Sequence, residues 1–207
     1  MPRISLYPVS DGRVFMLVDG SWSTVRVDEN TSADGMSTIT SSIAIGPAHT
    51  TGRGGGYTNV RGLFAFDLSS IPPGARVTSV KFFLDAVLTS TNKLVPVVST
   101  NTDALAVADY GSVFPSIASY HAASAISTSG TTLTLNSRAI EEVQDNIADT
   151  DYFTIGVVGE KDFTNSTPAS NTSYAVSVRM SETGGTSTDP KLTIDYEDNA
   201  VFFGANF

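Results

Sequence analysis

Large apolar side chains recur at every second position in several stretches of this chain, and that period constrains the fold more than any other feature. Val80, Phe82, Leu84, Ala86 and Leu88 fall on one face of an extended segment. Phe64 with Phe66, Leu133 with Leu135, and Leu192 with Ile194 and Tyr196 repeat the spacing. A period of two places residues on one side of a pleated strand and scatters them around a helix. The candidate strands are Ile4–Tyr7, Arg13–Val18, Thr24–Val27, Ser37–Ile45, Val60–Asp67, Val77–Leu88, Leu94–Ser99, Thr131–Leu135, Tyr152–Val158, Tyr174–Met180 and Lys191–Tyr196. Most are rich in Val, Ile, Thr, Phe and Tyr and are bounded by Gly, Pro, Asn and Asp. About ten short strands with turns between them predict an all-β sandwich or barrel.

One or two short connecting helices are expected. Ile140, Val143 and Ile147 sit at helical spacing within 137–147, where Asn136 or Ser137 can cap the start and Glu141 and Glu142 complement the dipole. A weaker helical pattern covers Ala118–Ala125. Gly52-Arg53-Gly54-Gly55-Gly56 lacks the Gly-Lys-Ser/Thr ending of a phosphate loop, and no helix pattern follows it. It reads as a loop entering a strand.

Composition narrows the function. The 207 residues contain no Cys, so disulfides, thiolate nucleophiles and iron–sulfur clusters are excluded. Lys plus Arg number 12 against 21 Asp plus Glu, a formal net charge of −9, which opposes nucleic-acid binding. No apolar run approaches the roughly 18 residues of a spanning helix, so no membrane association is expected. The start, Met1-Pro2-Arg3-Ile4-Ser5-Leu6, shows no apolar core of a secretory signal. Charged residues make up 16% of the chain, below the ~25% of ordinary domains, while Ser and Thr number 51. A surface of that kind suits a protein covered by neighbours.

The segment Arg61-Gly62-Leu63-Phe64-Ala65-Phe66-Asp67-Leu68-Ser69-Ser70-Ile71-Pro72-Pro73-Gly74-Ala75-Arg76-Val77-Thr78-Ser79-Val80-Lys81-Phe82-Phe83-Leu84 resembles the signature of the DNRLRE domain family. Phe64, Phe66 and Leu68 match its first core strand, Ile71 through Gly74 its turn, and Val77, Val80, Phe82 and Leu84 its next strand. Asp189 through Tyr196 look like its last strand. Asp67 and Ser69 can cap backbone donors where the strand ends, and Gly74 can take the positive φ of a Pro-Pro-Gly turn. The resemblance implies a jelly-roll β-sandwich akin to carbohydrate-binding modules. Such domains occur in surface proteins and in virion proteins of tailed bacteriophages.

Catalytic chemistry finds little support. There is no Gly-x-Ser-x-Gly elbow, and the only histidines, His49 and His121, are expected in a loop and on the weak helix. The carboxylate pairs Asp28 with Glu29, Asp149 with Asp151, and Asp195 with Glu197 and Asp198 occupy polar turns and strand ends. No cofactor and no metal site is expected, a structural calcium ion in the loops being the one exception compatible with these oxygen donors. For glycan contact the candidate rings are Trp22, flanked by small polar residues as at a loop tip, and Tyr57, Tyr110 and Tyr120.

The chain is expected to form one sandwich domain over 1–196, followed by an apolar tail over 197–207. Phe202, Phe203 and Phe207 are expected to dock on the core or on a neighbouring chain. Together with the resemblance, which implies virion proteins among its members, these features predict a non-enzymatic structural protein of a bacteriophage particle, made without a signal peptide and located in the virion. It would serve as a capsid decoration protein or a tail, fibre or connector component. Its partners would be other virion proteins and copies of itself. The alternative is a carbohydrate-binding module recognising cell-surface glycan.

Overall fold

The computed structural model describes residues 1–26, 33–38, 41–87, 92–99, 105–113, 120, 126, 130–149, 152–181 and 187–198. They form a mostly β fold with antiparallel sheets and four short helices. The strands are β1 (Arg3–Leu6), β2 (Pro8–Val18), β3 (Gly35–Ser37), β4 (Ser42–His49), β5 (Tyr57–Asp67), β6 (Arg76–Leu84), β7 (Ala86–Val87), β8 (Leu94–Val98), β9 (Thr131–Thr134), β10 (Tyr152–Gly159), β11 (Thr172–Ser173), β12 (Val176–Arg179) and β13 (Lys191–Glu197). The helices are α1 (Trp22–Arg26), α2 (Asp109–Ser112), α3 (Ser137–Asp149) and α4 (Glu160–Phe163).

A small sheet has the order β1-β13-β6-β9. A larger one runs β3-β2-β5-β4-β12-β7 and also carries β10, β8 and β11. The two sheets face each other across an apolar core. Phe64 and Phe66 of β5 meet Phe82 of β6, with ring centroids 5.7 and 6.2 Å apart. Ala139, Val143 and Ile147 bring α3 onto the same core. Asn136 caps that helix by accepting from the Ala139 N–H at 3.3 Å.

Strand β5 organises the large sheet. One of its edges pairs with β2 along nearly its whole length. On the other edge, Tyr57–Val60 pair with β4 while Gly62–Asp67 pair with β10, so the sheet forks at Arg61. The two branches touch at glycines. A Cβ on Gly159 would lie 2.9 Å from the Gly46 Cα, and Gly46 itself holds a φ of +126° under the Tyr174 carbonyl. No larger residue suits that crossing.

Several expectations are refined. Thr24–Val27, expected as a strand, is the helical turn α1 as far as Arg26, and Val27 lies outside the described residues. Ser21 explains the change. Its carbonyl accepts from Thr24 and Val25, and its hydroxyl bonds Thr24, so local capping overrides β propensity. The run expected as one strand over Val77–Leu88 breaks at Asp85. There the chain leaves the small sheet as β6 and joins the large one as β7, which pairs with β12. The Asp85 carboxylate holds the corner, accepting from the Gly130 N–H at 3.0 Å and lying 3.4 Å from Arg179. Likewise Ser37–Ile45 divides into β3 and β4. The weak helix over Ala118–Ala125 lies outside the described residues except for Tyr120.

The turn after β5 forms as its residues require. Asp67 accepts from the Ser69 N–H at 2.8 Å, and Ala75 N–H closes a turn on Pro72 with Gly74 at φ +86°.

Candidate functional site

The rings expected to meet glycan do not gather at the surface. Trp22, Tyr110 and Tyr120 are 5%, 0% and 0% exposed. The expectation of open ring faces is therefore corrected at these three. Trp22 is no loop tip: it opens α1, whose one turn presses it and Val25 against β2. Tyr57 is half-buried, stacked on His49 at 4.0 Å and tilted against Trp22 at 5.9 Å, so both neighbours already use its faces. His121, Asp28, Glu29, Asp151, Phe202, Phe203 and Phe207 lie outside the described residues. Asp195 pairs with Arg3 at 2.6 Å and Glu197 with Arg76 at 3.1 Å, both on the small sheet. Among the described residues, no three His, Asp or Glu side chains group where a metal ion could sit. No helix among them is long and apolar enough to cross a membrane.

What gathers instead is a buried polar network on the outer face of β5. Odd-numbered β5 residues point away from the sandwich core, toward α1, α2 and α4. Apolar residues of this second layer include Val14, Met16, Trp22, Val25, Leu63 and Val158. Within it lie Asn59, Arg61 and Asp162, each fully buried. Arg61 Nε donates to the Asp162 carboxylate at 2.8 Å, Nη1 to the Tyr110 carbonyl at 2.8 Å, and Nη2 to the Arg26 carbonyl at 3.0 Å. The guanidinium carbon lies 4.1 Å from the Tyr110 ring centroid. Asn59 Nδ2 donates to Asp162 at 2.8 Å, and Tyr110 Oη donates to the Val25 carbonyl at 2.6 Å.

The electrostatics match this geometry. Burial works to lower the Arg61 pKa, but the Asp162 carboxylate more than offsets it and the net shift is upward. Burial raises the Tyr110 phenol, keeping it a neutral donor. A fully enclosed ion pair cannot reach a substrate. Its chemical capacity is to lock α1, α2 and α4 onto β5. Sequence reasoning passed over Asp162, although Arg61 inside the apolar run Val60–Phe66 was a signal. A cation in a strand buried on both faces requires a buried anion.

Above the network, the far side of α4 is open. A recess of about 260 Å³ is lined, among the described residues, by Asn92, Glu160, Lys161, Thr164, Ser166 and Tyr174. Lys161 Nζ lies 4.5 Å from the Tyr174 ring centroid. Thr164 Oγ1 and Ser166 Oγ are 2.9 Å apart. Both non-glycine residues with positive φ in the described chain, Asn165 and Asn171, belong to the loop that forms this wall. None of the six lining residues was singled out from the sequence as a site residue.

Fold and site together define an antiparallel β-sandwich with a recessed polar surface pocket braced by a buried ion pair. No protein-family model matches the chain, and no curated protein matches it.

Proposed function

We propose that this chain is a non-enzymatic building block of a bacteriophage particle, acting by adhesion to neighbouring subunits. The observation that carries the reading is the distribution of exposed apolar side chains around β3, a strand at the rim of the large sheet. Leu17, Met36 and Val107 are 56%, 40% and 41% exposed. Met36 belongs to β3. The Leu17 N–H donates to Asp34 beside it at 2.6 Å, and Val107 accepts from Ala33 at 2.7 Å. Among the described residues only β2 pairs with β3. A rim strand flanked by apolar side chains is suited to strand addition and to hydrophobic contact with another chain. The low charge fraction and a tail ending in three Phe within six residues support the same reading.

Two measurements test it. Mass spectrometry of purified particles from the source should find this chain in stoichiometric amount. Sedimentation of the isolated protein should show association that weakens on Met36→Asp or on deletion of 201–207. Abundance as a free monomer with no trace in particles refutes the proposal.

A further inference from the structure

We infer that the outer face of the small sheet docks on the exposed stripe of α3 in a second copy of this chain. Strand register fixes what that face presents. Thr193 lies opposite Lys81 and Lys191 opposite Phe83, so the two lysines are diagonal neighbours on adjacent strands, ~7–8 Å apart. Leu192, Val80 and Phe82, their neighbours along the strands, point into the sandwich core, which turns Lys81, Phe83 and Lys191 outward. Arg3 and Arg76 stand on the same face or at its end, but Asp195 and Glu197 already pair with them. Lys81 and Lys191 have no ion-pair partner among the described residues. Two unpaired cations thus stand together on a chain whose formal net charge is −9. Lys191 Nζ lies 5.5 Å from the Phe83 ring centroid, which sets a half-buried aromatic seat beside the charge.

The complement lies on α3. Glu141, Asp145 and Asp149 are exposed and recur every four residues, on the side opposite Ala139, Val143 and Ile147, which bury the helix in the core. None of the three carboxylates has an ion-pair partner among the described residues, and the nearby Arg138 is bonded to Glu142 at 3.0 Å. Asp149 ends the helix and Asp145 lies one turn earlier, where the helix dipole disfavours anions, and no basic residue occupies the last turn. A local rule broken without compensation inside the chain points to a cation supplied from outside it. Carboxylates four apart on a helix have Cβ atoms ~5–6 Å from each other, close to the spacing of the two lysines. Within one chain the two surfaces cannot meet, since both point away from the same core. A second copy supplies the missing partner to each. Exposed ion pairs are individually weak, so association through this contact is weak and depends strongly on salt. The inference rests on the adhesion reading above, to which it adds a second surface and the partner that surface takes.

Charge exchange between the two surfaces tests it, read by sedimentation equilibrium of the full chain at high protein concentration. Between about 0.01 and about 1 M salt the screening length falls from ~30 to ~3 Å, and the association constant should fall with it. At low salt, Lys81→Glu with Lys191→Glu should weaken association by about tenfold, and so should Asp145→Lys with Asp149→Lys. The second pair places cations where the helix dipole favours them, so its fold should be as stable as wild type or more so. Lys81→Gln with Lys191→Gln, which removes charge without reversing it, serves should the Glu pair fail to fold. Mixing the Glu pair with the Lys pair restores opposite charges across the contact and should recover association that neither shows alone. Met36→Asp should leave the salt-dependent part unchanged. Loss of association in Met36→Asp but in neither charge variant overturns this inference and leaves the adhesion reading standing. Wild type without salt-sensitive association, or a mixture no stickier than its components, also overturns it. Loss in the lysine variants alone would mean that the sheet face takes some other acidic partner, and would refute the second copy.

Discussion

The two faces of β5 are both buried, yet they hold the molecule together by different means. Toward the small sheet, Phe64 and Phe66 meet Phe82 in an apolar core that also takes in α3. Toward α1, α2 and α4, Asn59 and Arg61 meet Asp162 and Tyr110 in a network of directed bonds. An apolar layer tolerates exchange of one hydrophobic group for another at modest cost, because dispersion and burial are not directional. An ion pair out of water depends on both partners being present at the correct distance. The inner face thus sets the sandwich, and the outer face fixes where the short helical turns sit.

The largest expected effect tests this difference directly. Asp162→Ala leaves the Arg61 guanidinium buried without its counter-charge and should lower stability by about 3–5 kcal/mol. Phe82→Ala should cost a similar 3–5 kcal/mol, roughly, through cavity formation. The two sites diverge in the second substitution. Replacing Arg61 and Asp162 together by Met and Leu should restore much of the loss, since a paired charge exchanged for apolar volume is often near neutral. Phe64→Ala added to Phe82→Ala should deepen it. Urea midpoints for the five proteins, wild type included, decide the matter. A double Arg61/Asp162 variant as unstable as Asp162→Ala would place the outer face in the same class as the inner one.

The fork in the sheet sharpens the comparison. Gly159 ends β10 and leads directly into α4, with no room for a side chain against Gly46 and Pro47. Gly159→Ala should cost about 1–3 kcal/mol, the usual range for overpacking. Because α4 follows at once, amide exchange should rise in 160–166 more than in β6 or β13. Equal loosening in both places would mean that the outer layer is not separable from the inner.

The inner face was far more legible from sequence than the outer. Its strands alternate, and alternation survives in Phe64, Phe66, Val80, Phe82, Leu192 and Ile194 because only one side of each pair meets the core. On β5 the other side is covered too, so Val60–Phe66 reads as a continuous buried run and the odd positions lose their signature. Trp22 misled for a local reason. Its small polar neighbour Ser21 caps a helical turn, with the Ser23 hydroxyl bonded to it, rather than marking an exposed tip. The recess was illegible because Asn92, Glu160 and Tyr174 are spread across more than 80 residues and meet only once the sheet has forked. The cap at Asn136 and the turn at Gly74 were readable because each depends on residues a few positions apart.

Even the inner layer has one polar fastening, and it predicts a smaller effect. Gln144 of α3 behaves like a piece of strand: Oε1 accepts from the Val77 N–H and Nε2 donates to the Ala75 carbonyl, both at 2.8 Å. Gln144→Leu keeps the bulk and removes both bonds. Each is part-buried, so water can replace much of what is lost, and the cost should be roughly 1 kcal/mol. Amide exchange at Val77 should accelerate by a comparable factor. A cost as large as that of Asp162→Ala would show that polar contacts weigh equally on both faces.

The smallest effect lies at the exposed corner where β5 ends. The Asp67 carboxylate is held below the ordinary carboxylate range, first by the Ser69 hydroxyl and then by the Ser69 N–H. A depressed carboxylate stabilises the folded state above its unfolded value, ~3.9, and that contribution is lost as pH falls through the folded value. The effect should therefore be absent at neutral pH as a slope and visible only in acid. NMR titration of the Asp67 side chain should give a midpoint below that of an unfolded aspartate. Ser69→Ala should move it up part of the way, because the backbone N–H bond at 2.8 Å remains. A midpoint unaffected by Ser69→Ala would assign the whole shift to the backbone and leave the hydroxyl without a role in the turn. The Arg61–Asp162 pair offers the contrast: no solvent reaches it, so its contribution should persist under salt concentrations that screen charges at exposed corners such as this one.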